Sequence, residues 1–396
     1  MEAAKEKTYE TASTLKETAE RAKERAEEAT EATKEKLSET ASTAKEKAEQ
    51  AKEAAKEKLS DTASTAKNTA ERAKGAASET ASEAVNRIKS TADGTAKVTA
   101  ETIGQASTPQ GASGVYGALT AMHGALGSAH LLSPTLASDF IFASAEPFDL
   151  LQYPLHRLLG TGHLAAAWSM WILKGAAEKR RLHLPEFQRL NLGLTTFAAA
   201  TLGVNMLHWE LLRPSAALTA AAIAGITAAA PTFYYSRTSG HGLRAGPILQ
   251  GLTHDLGNLM QIWGMKSAVY SALTVAILGA GSAYMAMPYE SLMNVFTYTE
   301  GPDCIMLWRS IGAALLLLPT WTYNLKEAAD ADVLHKPQFL DLNTGLAMTG
   351  LAHLIMLGPW WLQGSCGPLM PHILGTWAAT FAVGTWGVFG NKHIPV

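Results

Sequence analysis

From Val115 onward, long apolar stretches alternate with short polar breaks. A membrane-crossing helix needs ~20 mostly apolar residues. Eight stretches fit: 115–133, 155–174, 190–211, 214–235, 267–287, 306–325, 343–363 and 369–390. Residues 1–105 carry a different pattern. Leu37, Ala41, Ala44, Ala48, Ala51, Ala55 and Leu59 follow one another at steps of 4, 3, 4, 3, 4 and 4, with charged residues between them. That spacing is about 3.67 residues per turn, so the stripe runs nearly parallel to a helix axis. The two patterns predict an all-α protein. A long amphipathic N-terminal helix, disordered or helical, precedes a polytopic helical membrane domain.

The N-terminal stripe is written almost twice. KEKLSETASTAKEKAEQAKEAA (34–55) is followed directly by KEKLSDTASTAKNTAERAKGAA (56–77), and a third copy fills 5–26 before the insertion EEATEAT. Ala, Glu and Lys favour helix. Pairs such as Glu49/Lys52, Glu53/Lys56 and Glu71/Lys74 add about 0.2–0.5 kcal/mol each. Ala and Thr bury little area, so the stripe barely offsets the cost of ordering the chain. In dilute water the segment is expected near the disordered regime. On the helical wheel Lys34, Lys36, Lys45, Lys47, Lys56 and Lys58 border the apolar stripe, and Glu35, Glu39, Glu46, Glu53 and Glu57 lie opposite. A helix on a bilayer surface wants this order, with lysine stems reaching lipid phosphates. A solvated spacer or a coiled-coil strand is the alternative.

TASTAKEKAEQ (40–50), AKEAAKEKLSD (51–61) and TASTAKNTAER (62–72) resemble the tandem 11-residue motif of group 3 late embryogenesis abundant (LEA) proteins. The resemblance covers residues ~1–100. It implies protection of membranes and proteins during drying or freezing, disorder when wet, and helix on water loss. It implies no catalytic residues. It also implies a plant or algal source, with a chloroplast membrane as one location.

The apolar half is itself duplicated. VYGALTAMHGALGSAHLLSP (115–134) aligns with VYSALTVAILGAGSAYMAMP (269–288) at an offset of 154, and Phe142, Glu146 and Asp149 match Phe296, Glu300 and Asp303. After one two-residue gap the offset is 152, and Arg157, Gly160, Lys174, His183, Asn191 and Gly193 match Arg309, Gly312, Lys326, His335, Asn343 and Gly345. The predicted organisation is a repeat helix at 1–105, a linker at 106–114, four spans at 115–235, a linker at 236–266, and four spans at 267–396. An even number of spans per copy predicts parallel repeats related by an axis along the membrane normal. The four-helix unit, with Pro after its first helix and Arg-x-x-Gly opening its second, resembles DoxX-like membrane proteins. No activity is carried over from them.

The net charge of −2 averages two unlike parts. Residues 1–105 hold 19 basic and 21 acidic residues and a single aromatic, Tyr9. No signal or transit peptide is visible, so internal apolar segments are expected to direct membrane insertion. With eight spans, the termini, the loops near 175–189 and 327–342, and the linker share one side, which within residues 106–396 carries 11 Lys and Arg against three on the other. That bias predicts both termini on the cytoplasmic or stromal side. The expected partners are anionic lipid headgroups and other membrane proteins. Nothing suggests nucleic acid.

Candidate chemistry is sparse. Glu146, Asp149 and Arg157, with their copies Glu300, Asp303 and Arg309, fit an ion or substrate pathway or a structural Arg–carboxylate tie, the second being favoured. His163, His208, His353 and His372 lie in or near spans, but 163 aligns with Leu315 and 208 with Trp360. Haem ligation needs facing histidines, and helix–helix hydrogen bonds account for isolated polar residues. His183 and His335 recur in L-H-x-P-x-F, read as a turn with an interfacial aromatic anchor. Cys304 and Cys366 fall in loops of one side, as a disulfide or as two thiols. There is no nucleophile motif, phosphate loop or zinc spacing, and SGHGLRAG (239–246) has no following strand. No catalytic residue, metal or cofactor is assigned, and a non-enzymatic protein is expected.

Overall fold

Proline marks where many helices begin. Pro109, Pro134, Pro185, Pro214, Pro288 and Pro337 each open a helix. The first helical N–H has no intrahelical partner, so its absence costs little there, and proline's fixed φ suits the first turn. In a computed structural model, residues 108–143, 150–297, 301–364 and 366–390 are described. They belong to the second of two units, 99–396. The N-terminal repeat, with Lys34, Lys36, Lys45, Lys47, Lys56 and Lys58, lies outside the described residues, as do Glu146, Asp149 and Glu300.

The described chain is helical, with no strand among its residues and only two isolated bridges. Its elements are α1 (Pro109–Leu132), α2 (Pro134–Ile141), α3 (Gln152–Glu178), α4 (Pro185–Leu207), α5 (Pro214–Thr238), α6 (Ala245–Leu259), α7 (Met265–Ala286), α8 (Pro288–Val295), α9 (Gly301–Leu315), α10 (Leu318–Asp330), α11 (Pro337–Leu362) and α12 (Met370–Phe389). Five helices are long and apolar enough to cross a membrane: α4, α5, α7, the continuous rod Gly301–Asp330 made by α9 and α10, and α11. The rod is interrupted near Pro319, whose ring removes one N–H and crowds the carbonyl a turn earlier. Leu316 N–H there spans Gly312 O and Ala313 O at 3.3 and 3.2 Å.

Equivalent positions make equivalent contacts. The Tyr116 hydroxyl donates to Asn191 Oδ1, and Tyr270 donates to Asn343 Oδ1 at 2.7 Å. Phe142 bridges Leu212, and Phe296 bridges Cys366. Arg180 and Asp332 both adopt positive φ, 56° and 52°, where the chain turns back. Gly127 and Gly160 face each other across α1 and α3 so closely that a Cβ on either would lie 2.9 or 2.8 Å from the other's carbonyl oxygen. Gly281 and Gly312 do the same across α7 and α9, at 3.1 and 3.0 Å. Small residues allow such backbone approach in membrane bundles.

A second set of contacts joins residues to partners 152 positions on. Gly162 abuts Ala314, Trp321 Nε1 donates to Ser169 Oγ at 2.8 Å, and Gln338 Nε2 reaches Glu186 Oε1 at 3.5 Å. Gly193 packs on Thr320, and Gly345 packs on Trp168. The core therefore sits where α3 meets α9 and α10, with Trp308, Trp321, Phe197 and Phe296 fully buried.

The stretch 236–266, read from the sequence as a linker, contains helix α6. Its Leu249, Leu252 and Leu256 are exposed, an i, i+3, i+7 apolar face, the pattern of a helix lying in an interface. Its other face is fastened by charge. Arg189 forks onto Asp255 at 3.0 and 3.2 Å and onto Glu327 at 2.8 Å. Lys326, 2 % exposed, donates to Asn258 O and pairs with Asp330, both at 2.7 Å. The phenylalanines of the two L-H-x-P-x-F motifs are not interfacial anchors. Phe187 and Phe339 are buried in the bundle, while His183 and His335 are exposed. They pack inward because the helix begins at the preceding proline and turns its first apolar residue to the core.

Candidate functional site

Two helices carry histidine pairs seven residues apart: His123 and His130 on α1, His156 and His163 on α3. Seven residues is close to two turns, so each pair shares a face. The glycine contact between α1 and α3 brings the two faces together. His123 Nδ1 meets His163 Nδ1 at 3.1 Å, and His130 Nδ1 meets His156 Nδ1 at 2.9 Å. The His130 and His163 rings stack, with centroids 5.7 Å apart and planes 15° from parallel. His123 Nε2 reaches Thr227 Oγ1 on α5 at 2.9 Å. Thr227, His123, His163, His130 and His156 thus form one continuous row.

The ring chemistry constrains the row. A neutral imidazole has one donor nitrogen and one acceptor. An Nδ1–Nδ1 hydrogen bond between neutral rings therefore requires opposite tautomers in each pair, and a change in one ring obliges its partner to change. The Nδ1 atoms point at each other rather than at a common centre. Among the described residues no group of three or more His, Cys, Asp or Glu is arranged around a metal position.

Beside the row lies a cavity of about 410 Å³ bounded by α1, α2, α3, α4, α5 and α9. Its lining is almost wholly apolar, and among the described residues no Asp, Glu, Lys or Arg contributes to it. The polar groups are His123, His130, His163, Asn205, Ser310 and a few hydroxyls. Concave, apolar sites with few polar groups are the usual form of small-molecule sites.

The second half has no such row. Its counterparts to His123, His130, His156 and His163 are Ile277, Tyr284, Trp308 and Leu315, all buried. Tyr284 packs on Trp308 with centroids 4.0 Å apart, and Trp308 Nε1 is satisfied by Ser291 Oγ at 2.8 Å. Only the first half places four imidazoles at these positions.

No protein-family model and no curated protein matches the chain.

The residues singled out from sequence are dispersed. Arg157 lies in the first turns of α3 with its guanidinium 5.0 Å from the Tyr153 ring centre. Arg309 donates from α9 to His208 Nε2 at 3.3 Å, tying the two halves at that point. Asp303 is buried in the first turn of α9. His353 donates to Thr349 O at 2.8 Å and stacks on Trp377 at 3.6 Å, and His372 is exposed. No disulfide joins Cys304 to Cys366. Cys304 faces the core from α9, and the loop holding Cys366 is fastened instead by its backbone bridge to Phe296. Of His163, His208, His353 and His372, only His163 belongs to the row. His123 with His130, and His156 with His163, are legible in the sequence as i, i+7 pairs on two successive long helices.

Proposed function

We propose that the protein is a membrane-anchored protectant whose N-terminal repeat stabilises membrane surfaces during drying or freezing. One observation carries this reading: a Lys-bordered 22-residue repeat is joined in one chain to helices long and apolar enough to cross a membrane. The repeat's Ala-rich stripe is too weak to fold well alone. A tether to the bilayer raises its local concentration there, so weak contacts suffice. On water loss the helix lies along the headgroups and hinders fusion and leakage.

In this reading the anchor has eight spans, α1, α3 and α12 joining the five apolar helices, in two parallel four-helix repeats. Contacts between residues 152 apart support it, because a residue meets its own counterpart only beside a two-fold axis. Gly162 and Ser169 make such contacts from positions two turns apart on α3, so that axis runs along the helices and hence along the membrane normal. Both termini then lie on the basic, cytoplasmic or stromal side, where anionic lipids attract the lysines. A chloroplast membrane is one such location.

Circular dichroism of residues 1–105 tests the repeat itself. Helicity is expected to rise on adding anionic vesicles or on drying. Helicity that stays flat under both treatments rules the protectant reading out.

The histidine row favours a second reading, in which the membrane domain is the working part, as a transporter, a redox or lipid-modifying protein, or a scaffold subunit, and the repeat is its regulatory tail. A substrate-dependent phenotype caused by changing Arg157 or Arg309, and surviving deletion of residues 1–105, supports this reading over the first.

A further inference from the structure

The cavity beside the histidine row has a shape and chemistry that the surface-helix reading does not use. Leu136 and Phe140 of α2 line it and are 68 % and 55 % exposed. They therefore form its mouth, which opens on the apolar outer surface of the bundle. A molecule arriving through that mouth comes from lipid. Inside, Leu126, Ile223 and Met306 offer only apolar contact, so most of the molecule is apolar. Among the described residues, no lysine or arginine lines the cavity to balance an anion, and no acid to balance a cation. Burying an unpaired charge there is costly, so the molecule is uncharged.

Its polar end is specified by the imidazoles. His130 and His163 make their hydrogen bonds through Nδ1, and both rings line the cavity. Their Nε2 atoms remain for a ligand. Because each ring pair holds opposite tautomers, an Nε2 presents a donor in one arrangement and an acceptor in the other. A hydroxyl both donates and accepts, so it is satisfied by either. A carbonyl or ether oxygen is satisfied by only one.

We propose that this cavity binds an uncharged lipophile of the long-chain alcohol class, with its hydroxyl hydrogen-bonded to the His130–His163 edge and its chain leaving past Leu136 and Phe140. The site stands independently of the N-terminal repeat. It belongs to the first half alone, since Ile277, Tyr284, Trp308 and Leu315 fill the corresponding positions with buried bulk.

The test uses the full chain in lipid nanodiscs and a hexadecanol carrying a mid-chain diazirine, with adducts mapped by peptide mass spectrometry after illumination. Adducts are expected on α2 and α5 around Phe140 and Ile223. Excess hexadecanol competes with them, whereas hexadecane and hexadecanoate compete poorly. His163→Phe is expected to weaken saturable labelling roughly threefold to tenfold, the worth of one hydrogen bond, and His163→Gln to restore most of it. Ala220→Phe, which fills the cavity, abolishes it. The competition series needs no variant, so it stands even where a substitution fails to fold. Adducts spread evenly over the lipid-facing helices, or displaced equally by hexadecane, overturn the site. Displacement by hexadecanoate as effective as by hexadecanol overturns the uncharged class.

Discussion

Asp330→Ala lowers the stability of the helical domain by about 3 kcal/mol, the usual cost of leaving one member of a buried ion pair without its partner. Lys326 is 2 % exposed and Asp330 20 %, and they meet at 2.7 Å. Without the carboxylate the ammonium keeps only the Asn258 carbonyl. Removing an acid from the last turn of α10 relieves an unfavourable interaction with the helix dipole, but that gain is about 0.3–1 kcal/mol and does not offset the loss. The counterpart pair, Lys174 and Glu178, is far more exposed, at 30 % and 50 %, so Glu178→Ala leaves the unfolding midpoint essentially unchanged. The double change Lys326→Met with Asp330→Ala recovers most of the loss, because the buried charge goes too. Thermal unfolding in detergent, followed by far-ultraviolet circular dichroism, measures all three. Equal midpoints for Asp330→Ala and Glu178→Ala would sink the claim that the Lys326 pair fastens α6 to α10.

Gly160→Leu costs about 2 kcal/mol or more. Leucine improves helix propensity by somewhat under 1 kcal/mol relative to glycine. Against this, the new Cβ lies 2.8 Å from the Gly127 carbonyl oxygen and 2.9 Å from Leu131. A backbone oxygen cannot rotate away, so α1 and α3 must separate, and overpacking of this kind costs about 1–3 kcal/mol or more. The histidine pairs separate with them. Gly175, also on α3, has nothing within 4 Å of its Cβ position, so Gly175→Ala keeps only the propensity gain and raises the midpoint slightly. Both are read by the same unfolding measurement. A destabilised Gly175→Ala beside an unaffected Gly160→Leu contradicts the close approach of α1 and α3.

The sequence was most informative where one local cause acts alone. Apolar runs mark most helices, since each acts within a few residues. The short α2 and α8 are hidden because eight residues hold too few turns for a periodicity. Helix α6 was passed over as a linker because its apolar positions are Leu249, Leu252 and Leu256 among glycines. What makes it an ordered element is tertiary, the Arg189 and Lys326 contacts from distant helices.

The histidine row was missed for a different reason. Retention of a residue in both halves served as the guide to function, and that guide passes over anything one half has and the other has lost. His123, His130, His156 and His163 each align with an aliphatic or aromatic residue, and never a histidine, in the second half. The common spacing of seven in two neighbouring apolar stretches is the available signal. That the two faces meet depends on the Gly127–Gly160 approach, which no single helix reveals.

The protectant reading is tested most directly with the full chain reconstituted in anionic vesicles holding a self-quenching dye and taken through freezing or drying. The full chain is expected to hold back dye release, and a chain lacking residues 1–105 to release dye as protein-free vesicles do. Equal protection by the two chains, or none from the full chain, contradicts the proposal that the N-terminal repeat guards the membrane in which the rest of the protein sits.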